Sequence, residues 1–192
     1  MKNQIIIAAL FFTFNCFAGM NTEDTFTSEQ PTAKTVIVIH GGAGWSQNTS
    51  DEIQDAIKAG LKTALDTGFS VLESGGSSLD AVEAAIVTLE DNPVFNAGRG
   101  SVYTSEEKQE MDASIMSGID QDAGAVASIS RVKNPIKLAR YIMEHTSHVM
   151  MAGQGAEKIA EQGRLELVDP SYFYSETRLK RVKKQKAKKN ST

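Results

Sequence analysis

The hydrophobic pattern divides the chain into a short apolar leader and a longer stretch of alternating strand-like and helix-like segments. Near the N-terminus, Lys2 precedes an almost unbroken apolar run from Ile5 to Phe17, with Cys16-Phe17-Ala18 at its end. That run is too short for a comfortable membrane span. A positive start, an apolar middle and small residues at the end describe an export signal, with cleavage expected after Ala18. An uncleaved anchor is the alternative, and a lipoprotein signal at Cys16 is disfavoured by Asn15 before it. Residues 19–34 are polar, contain Pro31, and read as a flexible leader.

From Thr35 to His40 the pattern changes to consecutive β-branched residues, Val36 to Ile39. Such a run predicts a strand buried on both faces. It ends in His40-Gly41-Gly42-Ala43-Gly44, a turn that only a glycine-rich sequence makes tightly. Thr49 with Glu52 predicts a capping box opening a helix, with Ile53, Ile57, Leu61 and Leu65 as its apolar face and Gly68 as its stop. Ser77 with Asp80 opens a second helix with Leu79, Val82, Ile86 and Leu89 on one face, closed at Asn92-Pro93. Met111 to Met116 and Ala123 to Ile129 read as strands. The second is so rich in small residues that another element must approach its backbone closely. Asn134-Pro135 starts a helix carrying Ile136, Leu138, Ala139 and Ile142. Val149 to Ala152 is a short apolar patch leading to a last helix that ends near Gly163. Strands and helices alternate irregularly, which places the chain in the α/β or α+β class, with helices covering a mixed sheet.

Composition narrows the picture further. The 192 residues are 41% hydrophobic and 23% charged, ordinary for a globular domain. Cys16 is the only cysteine, so a chain cleaved after Ala18 has no thiol for disulfide or thiolate chemistry. The net charge is −4, yet Arg178, Lys180, Arg181, Lys183, Lys184, Lys186, Lys188 and Lys189 form a basic run with no acid among them. The body before it is therefore strongly acidic. With no aromatic residue interleaved, the basic run reads as a solvated, mobile linker over 178–192 rather than as a nucleic-acid contact.

Self-sufficient catalytic chemistry is not legible. His40, His145 and His148 lack metal-ligand spacing with one another or with carboxylates. No serine sits in a nucleophile elbow. The glycine-rich turn lacks the lysine of a phosphate loop.

Four segments taken in order are more informative. They are His40-Gly41-Gly42-Ala43-Gly44, the stretch Leu89-Glu90-Asp91-Asn92-Pro93-Val94-Phe95-Asn96-Ala97-Gly98-Arg99-Gly100, the stretch Glu110-Met111-Asp112-Ala113-Ser114-Ile115-Met116-Ser117-Gly118, and Lys133-Asn134-Pro135 with Ser147 to Glu157 beyond it. Together, from about Thr35 to Gly163, they resemble the α-subunit of plant-type L-asparaginases, also called isoaspartyl peptidases. The resemblance implies an N-terminal nucleophile hydrolase with an αββα sandwich, of which residues 35–177 would be the α-subunit domain.

The resemblance also implies a precursor that cuts itself before a threonine, whose hydroxyl then attacks the side-chain amide of asparagine or an isoaspartyl bond. The threonine's own α-amine serves as base. The partner would be a β-subunit from the same precursor, in an (αβ)2 assembly. The ligand would be a small-molecule substrate, with no nucleic acid and, after signal cleavage, no membrane. No Gly-Thr-Val-Gly segment occurs in the chain, and Thr192 follows serine. The expectation is thus an α-subunit with part of its linker, or a truncated precursor, inactive alone. A catalytically silent binding fragment and a glycosylasparaginase-like subunit are the other readings.

Residue roles carried over by position are few. Asn96 matches the asparagine beside the catalytic threonine; turn chemistry beside Ala97-Gly98 is its structural alternative. Gly41 and Gly42 match a glycine loop near the autocleavage site. Leu89, Glu90, Asn92, Phe95, Ala97 and Arg99 match main-chain carbonyl donors to a structural sodium ion; no organic cofactor is implied. Ile142 to Val149, with His148, matches an activation loop of some potassium-dependent relatives, although a helix-end histidine is the simpler reading.

The leader generates the first prediction. Produced in its native host, the protein is expected outside the cytoplasm, in the periplasm or secreted, and about 18 residues shorter at its N-terminus. Intact mass measures this, and a cytoplasmic protein retaining Met1 contradicts it.

Overall fold

The computed structural model describes residues 35–42 and 49–189. The expected signal segment and leader, and Ala43 and Gly44 of the glycine turn, lie outside these residues. Helix α1 (Asp51–Glu73) and helix α2 (Ser78–Glu90) form a hairpin. A loop containing the short 3₁₀ turn Gly98–Gly100 leads to strands β1 (Met111–Met116) and β2 (Ala123–Ile129). Helix α3 (Pro135–His145), strand β3 (Met150–Ala152) and helix α4 (Gly153–Gln162) follow. A second 3₁₀ turn, Pro170–Phe173, precedes helix α5 (Glu176–Lys189). The mixed α/β class expected from the sequence is what the chain adopts, with the strands in the order β1-β2-β3. β1 and β2 are antiparallel, and β2 and β3 are parallel.

The core lies between one face of this sheet and α3. Val126, Ile129, Ile136, Leu138, Ala139 and Ile142 are each at most 2% exposed. The element demanded by the small-residue strand is α3. At Gly124 a Cβ would run into the Ala139 carbonyl and meet Met143 Cβ at 2.8 Å, so only glycine admits the helix at this distance. The opposite face carries Ser114 and Met116 of β1, Ala125 and Ala127 of β2, and Met150 of β3. Ser114, Met116 and Met150 are exposed there. Register shifts between Met111 and Ala113, where Asp112 Oδ1 accepts a hydrogen bond from Ser128 N at 2.8 Å. The side chain thereby satisfies a donor that the irregular ladder leaves over.

Glu157, buried in α4, fixes the turn after β2. Its Oε1 accepts from Ser130 N at 2.7 Å, Ser130 Oγ at 3.1 Å and Arg131 N at 3.0 Å.

Several expectations are corrected. Thr35–His40 is not a strand: it has no regular structure, and Val36 and Val38 are 69% and 87% exposed. A strand buried on both faces needs hydrogen-bonding neighbours, and among the described residues none pairs with it. Its alternation survives in part, because Ile37 lies against Gly68 of α1 and Ile39 packs against the cluster of Ala64, Leu89 and Phe95. Helix α1 is capped at Ser50 without a side-chain bond, not by a Thr49–Glu52 box. Nor does Gly68 stop it. Gly60, Ala64 and Gly68 form its buried stripe, and α2 packs so closely that a Cβ at Gly68 would lie 2.9 Å from the Ala81 carbonyl. The larger Ile57, Leu61 and Leu65 flank this stripe half-buried, and Ile53 is exposed. Close backbone approach thus displaces the large side chains from the centre of the contact. In α2, Val82 is likewise exposed, whereas Ala81, Ala85 and Leu89 are buried. The basic run expected as a linker is helix α5, without a buried residue, supported by the Lys180–Glu176 pair at 2.6 Å.

The capping box of α2 forms as expected. Asp80 N donates to Ser77 Oγ at 3.1 Å, and Asp80 Oδ2 accepts from Ser77 N at 3.1 Å. Arg140 of α3 joins it, reaching Asp80 at 2.8 Å, Glu83 at 3.1 Å and Glu144 at 2.8 Å. The Ser77 hydrogen bond, and then Arg140, hold the Asp80 carboxyl at about 2, below its ordinary 3.8. A depressed carboxylate contributes stability above its unfolded value and loses it as pH falls through the folded value. Asp80→Asn is therefore expected to lower the melting temperature at pH 7, and the gap from the parent chain is expected to close between about pH 4 and pH 2. Melting followed by circular dichroism at pH 7, 4, 3 and 2 checks this; a gap unchanged at pH 2 contradicts it.

Candidate active site

The chain leaving α2 makes a compact loop because its glycines let backbone pack on backbone. Gly98, at φ +49°, lies on the Glu90 carbonyl. Gly100 lies on the Phe95 carbonyl, and a Cβ there would stand 2.7 Å from the Pro93 oxygen. Phe95 is buried against α1, its ring over Gly60. The loop thus turns apolar Phe95 inward and polar Asn96 outward. Asn96 Oδ1 accepts from Val102 N at 3.0 Å, which closes the loop and fixes the side chain at its mouth. Both the local role expected of an asparagine beside Ala97-Gly98 and an exposed amide are therefore present.

A cavity of about 190 Å3 opens here, bounded by Glu90, Asn96, Gly98, Ser101, Asp112 and Pro135. No lysine or arginine lines it. Ser101 is buried, with its carbonyl and hydroxyl oxygens accepting from Gln109 Nε2 at 2.9 and 3.2 Å. Glu90 is 2% exposed. Its Oε1 accepts from Ile136 N at 2.9 Å, so this carboxyl serves the start of α3, where Asn134 makes no side-chain cap. Asn134 Nδ2 instead donates to Asp91 Oδ1 at 3.3 Å. Removal from water pushes the Glu90 carboxyl up to about 8. Its Oε2 has no hydrogen-bond partner. A larger hollow, about 350 Å3, lies among Tyr103, Gln109, Pro170 and Tyr174 and is lined by none of the residues expected to act.

The expected residues are only partly gathered. Asn96, Glu90 and Ala97 share the cavity. Gly41 packs on Leu61 of α1, and Gly42, at φ +96°, donates from its N–H to His40 Nδ1 at 3.2 Å. The expected carbonyl donors have internal duties as well. Leu89 O accepts from Asn92 N at 3.2 Å, Asn92 O from Phe95 N at 3.2 Å, and Ala97 O from Gly100 N at 2.9 Å. A carbonyl keeps a second lone pair, and an all-oxygen donor set suits a hard cation. The glycines against the Glu90 and Phe95 carbonyls leave the loop without side chains to block them. By donor chemistry alone, these carbonyls are compatible with a sodium ion. Arg99 is exposed, with its guanidinium 5.4 Å from the centre of the Tyr172 ring.

The histidines stay apart from this centre. His145 stacks on Tyr141 with ring centroids 4.2 Å apart, and the exposed His148 donates from its N–H to Thr146 Oγ1 at 3.1 Å. Among the described residues no cluster of three His, Cys, Asp or Glu could hold a metal ion. Sequence reasoning assigned Glu90 only its carbonyl. Its acid on the inward side of an amphipathic helix, next to Leu89, was the available sign of a buried carboxyl. It also missed Arg178, whose Nη2 donates to the carbonyls of Pro93, Val94 and Phe95 at 3.4, 3.4 and 3.1 Å. Nothing local in the basic run distinguishes that arginine from its neighbours.

Residues 33–192 match the family described as Asparaginase. The isoaspartyl peptidase/L-asparaginase of Xenopus laevis is 44% identical over 158 residues, covering 82% of this chain and 50% of that protein. The isoaspartyl peptidase of Escherichia coli is 42% identical over 151 residues, with 78% and 47% covered. The plant-type L-asparaginase of Thermococcus kodakarensis is 50% identical over 144 residues, with 75% and 45% covered. The chain spans about half the length of these curated relatives.

Asn96→Ala removes the acceptor for Val102 N. The expected cost is about 1 kcal/mol in stability, with faster amide hydrogen exchange at Val102 and unchanged exchange in β2. Equal protection of Val102 in both proteins would show that the bond does not close the loop.

Proposed function

We propose, from the premise that the chain belongs to the asparaginase family, that it is the N-terminal half of a hydrolase acting on the side-chain amide of L-asparagine and on isoaspartyl peptide bonds. The observation that carries this reading is the Asn96 loop, which presents an amide at the mouth of an acceptor-lined cavity and is locked by Val102 N. In this reading the loop receives an N-terminal threonine from a second, downstream half. Asn96 holds the geometry of that threonine, as a positioning group, through its amide. Gly41 and Gly42 lie near the peptide bond whose cleavage frees the threonine.

The chemistry then balances without an external reagent. The threonine hydroxyl gives its proton to its own α-amine and attacks the side-chain carbonyl of the substrate. The carbon–nitrogen bond breaks, the nitrogen takes the proton, and ammonia or an amine leaves. Water cleaves the resulting ester, releasing aspartate and restoring the hydroxyl. A structural sodium ion on the carbonyls of Leu89, Glu90, Asn92, Phe95, Ala97 and Arg99 would stiffen the loop that carries Asn96.

The uncovered face of the sheet supports the need for a second half. Met116 and Met150 are 62% and 59% exposed on it, and Val36 and Val38 are exposed with no partner strand among the described residues. Apolar area of this kind is normally covered by another surface. We read it as the seat of the β-subunit, in an (αβ)2 assembly, and we place the protein outside the cytoplasm.

The chain alone is expected to release no amine from L-asparagine or β-aspartyl-leucine, since it has no Gly-Thr-Val-Gly segment. Supplying a family β-subunit that begins with threonine is expected to restore turnover, and Asn96→Ala in that complex to reduce kcat more than KM. Turnover by the chain alone that disappears on mutating Thr192 would overturn the proposal.

A further inference from the structure

Helix α5 is tied to both flanks of the loop that carries Asn96. On one flank, a single guanidinium nitrogen of Arg178 lies 3.1 to 3.4 Å from three successive carbonyls, those of Pro93, Val94 and Phe95. On the other, Ser175 N donates to Tyr103 Oη at 3.2 Å. Further along, Lys183 and Lys186 reach Glu107 at 3.6 and 3.0 Å. Arg178 is half-buried, and among the described residues it pairs with no carboxylate. Its charge is met by carbonyl dipoles instead, as that of a bare cation would be.

We propose that the start of α5 is a strap in which Arg178 serves as the built-in cation of the Pro93–Phe95 turn, and that docking of this strap and binding of a sodium ion by the same loop oppose each other. The second clause rests on the cation reading of the loop. Phe95 O is the shared atom: it accepts from Arg178 and is also an expected sodium donor. With an ion–oxygen distance of about 2.4 Å, an ion on Phe95 O would stand no more than about 5 to 6 Å from the guanidinium nitrogen. Two positive charges that close, partly shielded from water, repel with little screening. Linkage makes the effect mutual, so sodium loosens the strap as much as the strap weakens sodium.

The test measures sodium affinity of the full 192-residue chain by 23Na relaxation, with choline chloride holding ionic strength constant. Arg178→Gln is expected to bind sodium at least about five-fold more tightly, while Arg178→Lys, which keeps the charge, stays near the parent value. Glu107→Gln, which frees the strap without touching the carbonyl turn, is expected to tighten sodium in the same direction. Amide hydrogen exchange supplies an independent readout. In the parent chain, saturating sodium is expected to raise exchange across α5, and in Arg178→Gln exchange there is already high and indifferent to sodium. Saturable sodium binding with one affinity in all four proteins leaves the cation reading standing and overturns the strap. Absence of sodium binding in every protein overturns the cation reading, and the competition with it.

Discussion

The carboxyl of Glu90 is buried where α2 ends, α3 begins and the Asn92–Gly100 loop folds back, and the site depends on that meeting. Through Oε1 it satisfies Ile136 N, one of the amide groups that the first turn of α3 leaves without a partner. Its backbone carbonyl supports Gly98. A single residue thereby fixes the loop relative to the helix that covers the sheet. Burial without a second partner for Oε2 is costly for an ionised acid, and the carboxyl responds by holding its proton up to about pH 8. It can thus meet Ile136 without placing an isolated charge inside the protein.

Glycine at particular positions sets how closely the layers approach. Gly124 lets α3 reach β2, the Gly60, Ala64 and Gly68 stripe lets α1 reach α2 and the loop, and Gly98 and Gly100 let the loop close on itself. At each of these glycines an added Cβ would meet backbone or a packed ring, joined at Gly68 by the end of the Ile37 side chain and at Gly60 by that of Asn92. Among the described residues the result is one well-packed face of a three-stranded sheet and one face left bare. That asymmetry is what a fragment of an αββα sandwich presents, and it accords with the share of the relatives' length that the chain spans. The strap of α5 lies at the edge of the same loop, so the carbonyl turn, Asn96 and the basic helix form one connected unit through Arg178.

The sequence by itself determined the strands Met111–Met116 and Ala123–Ile129, the Ser77–Asp80 capping box and the proline start of α3, because alternation, caps and fixed φ act over a few residues. It also determined the family, because the four segments keep their order and content along the chain. It could not determine the fate of Thr35–His40, since a β-branched run becomes a strand only if another strand supplies its hydrogen bonds. It misread Gly68 as a stop for the same reason: a glycine inside a helix is held there by the neighbour that needs its small size, and that neighbour is invisible locally. Only the tertiary structure brought the Glu90 carboxyl to Ile136, 46 residues away in sequence, and Arg178 to Phe95, 83 residues away. Contacts at that separation are chosen by how helices and loops pack in space, and no short-range pattern of residues encodes them.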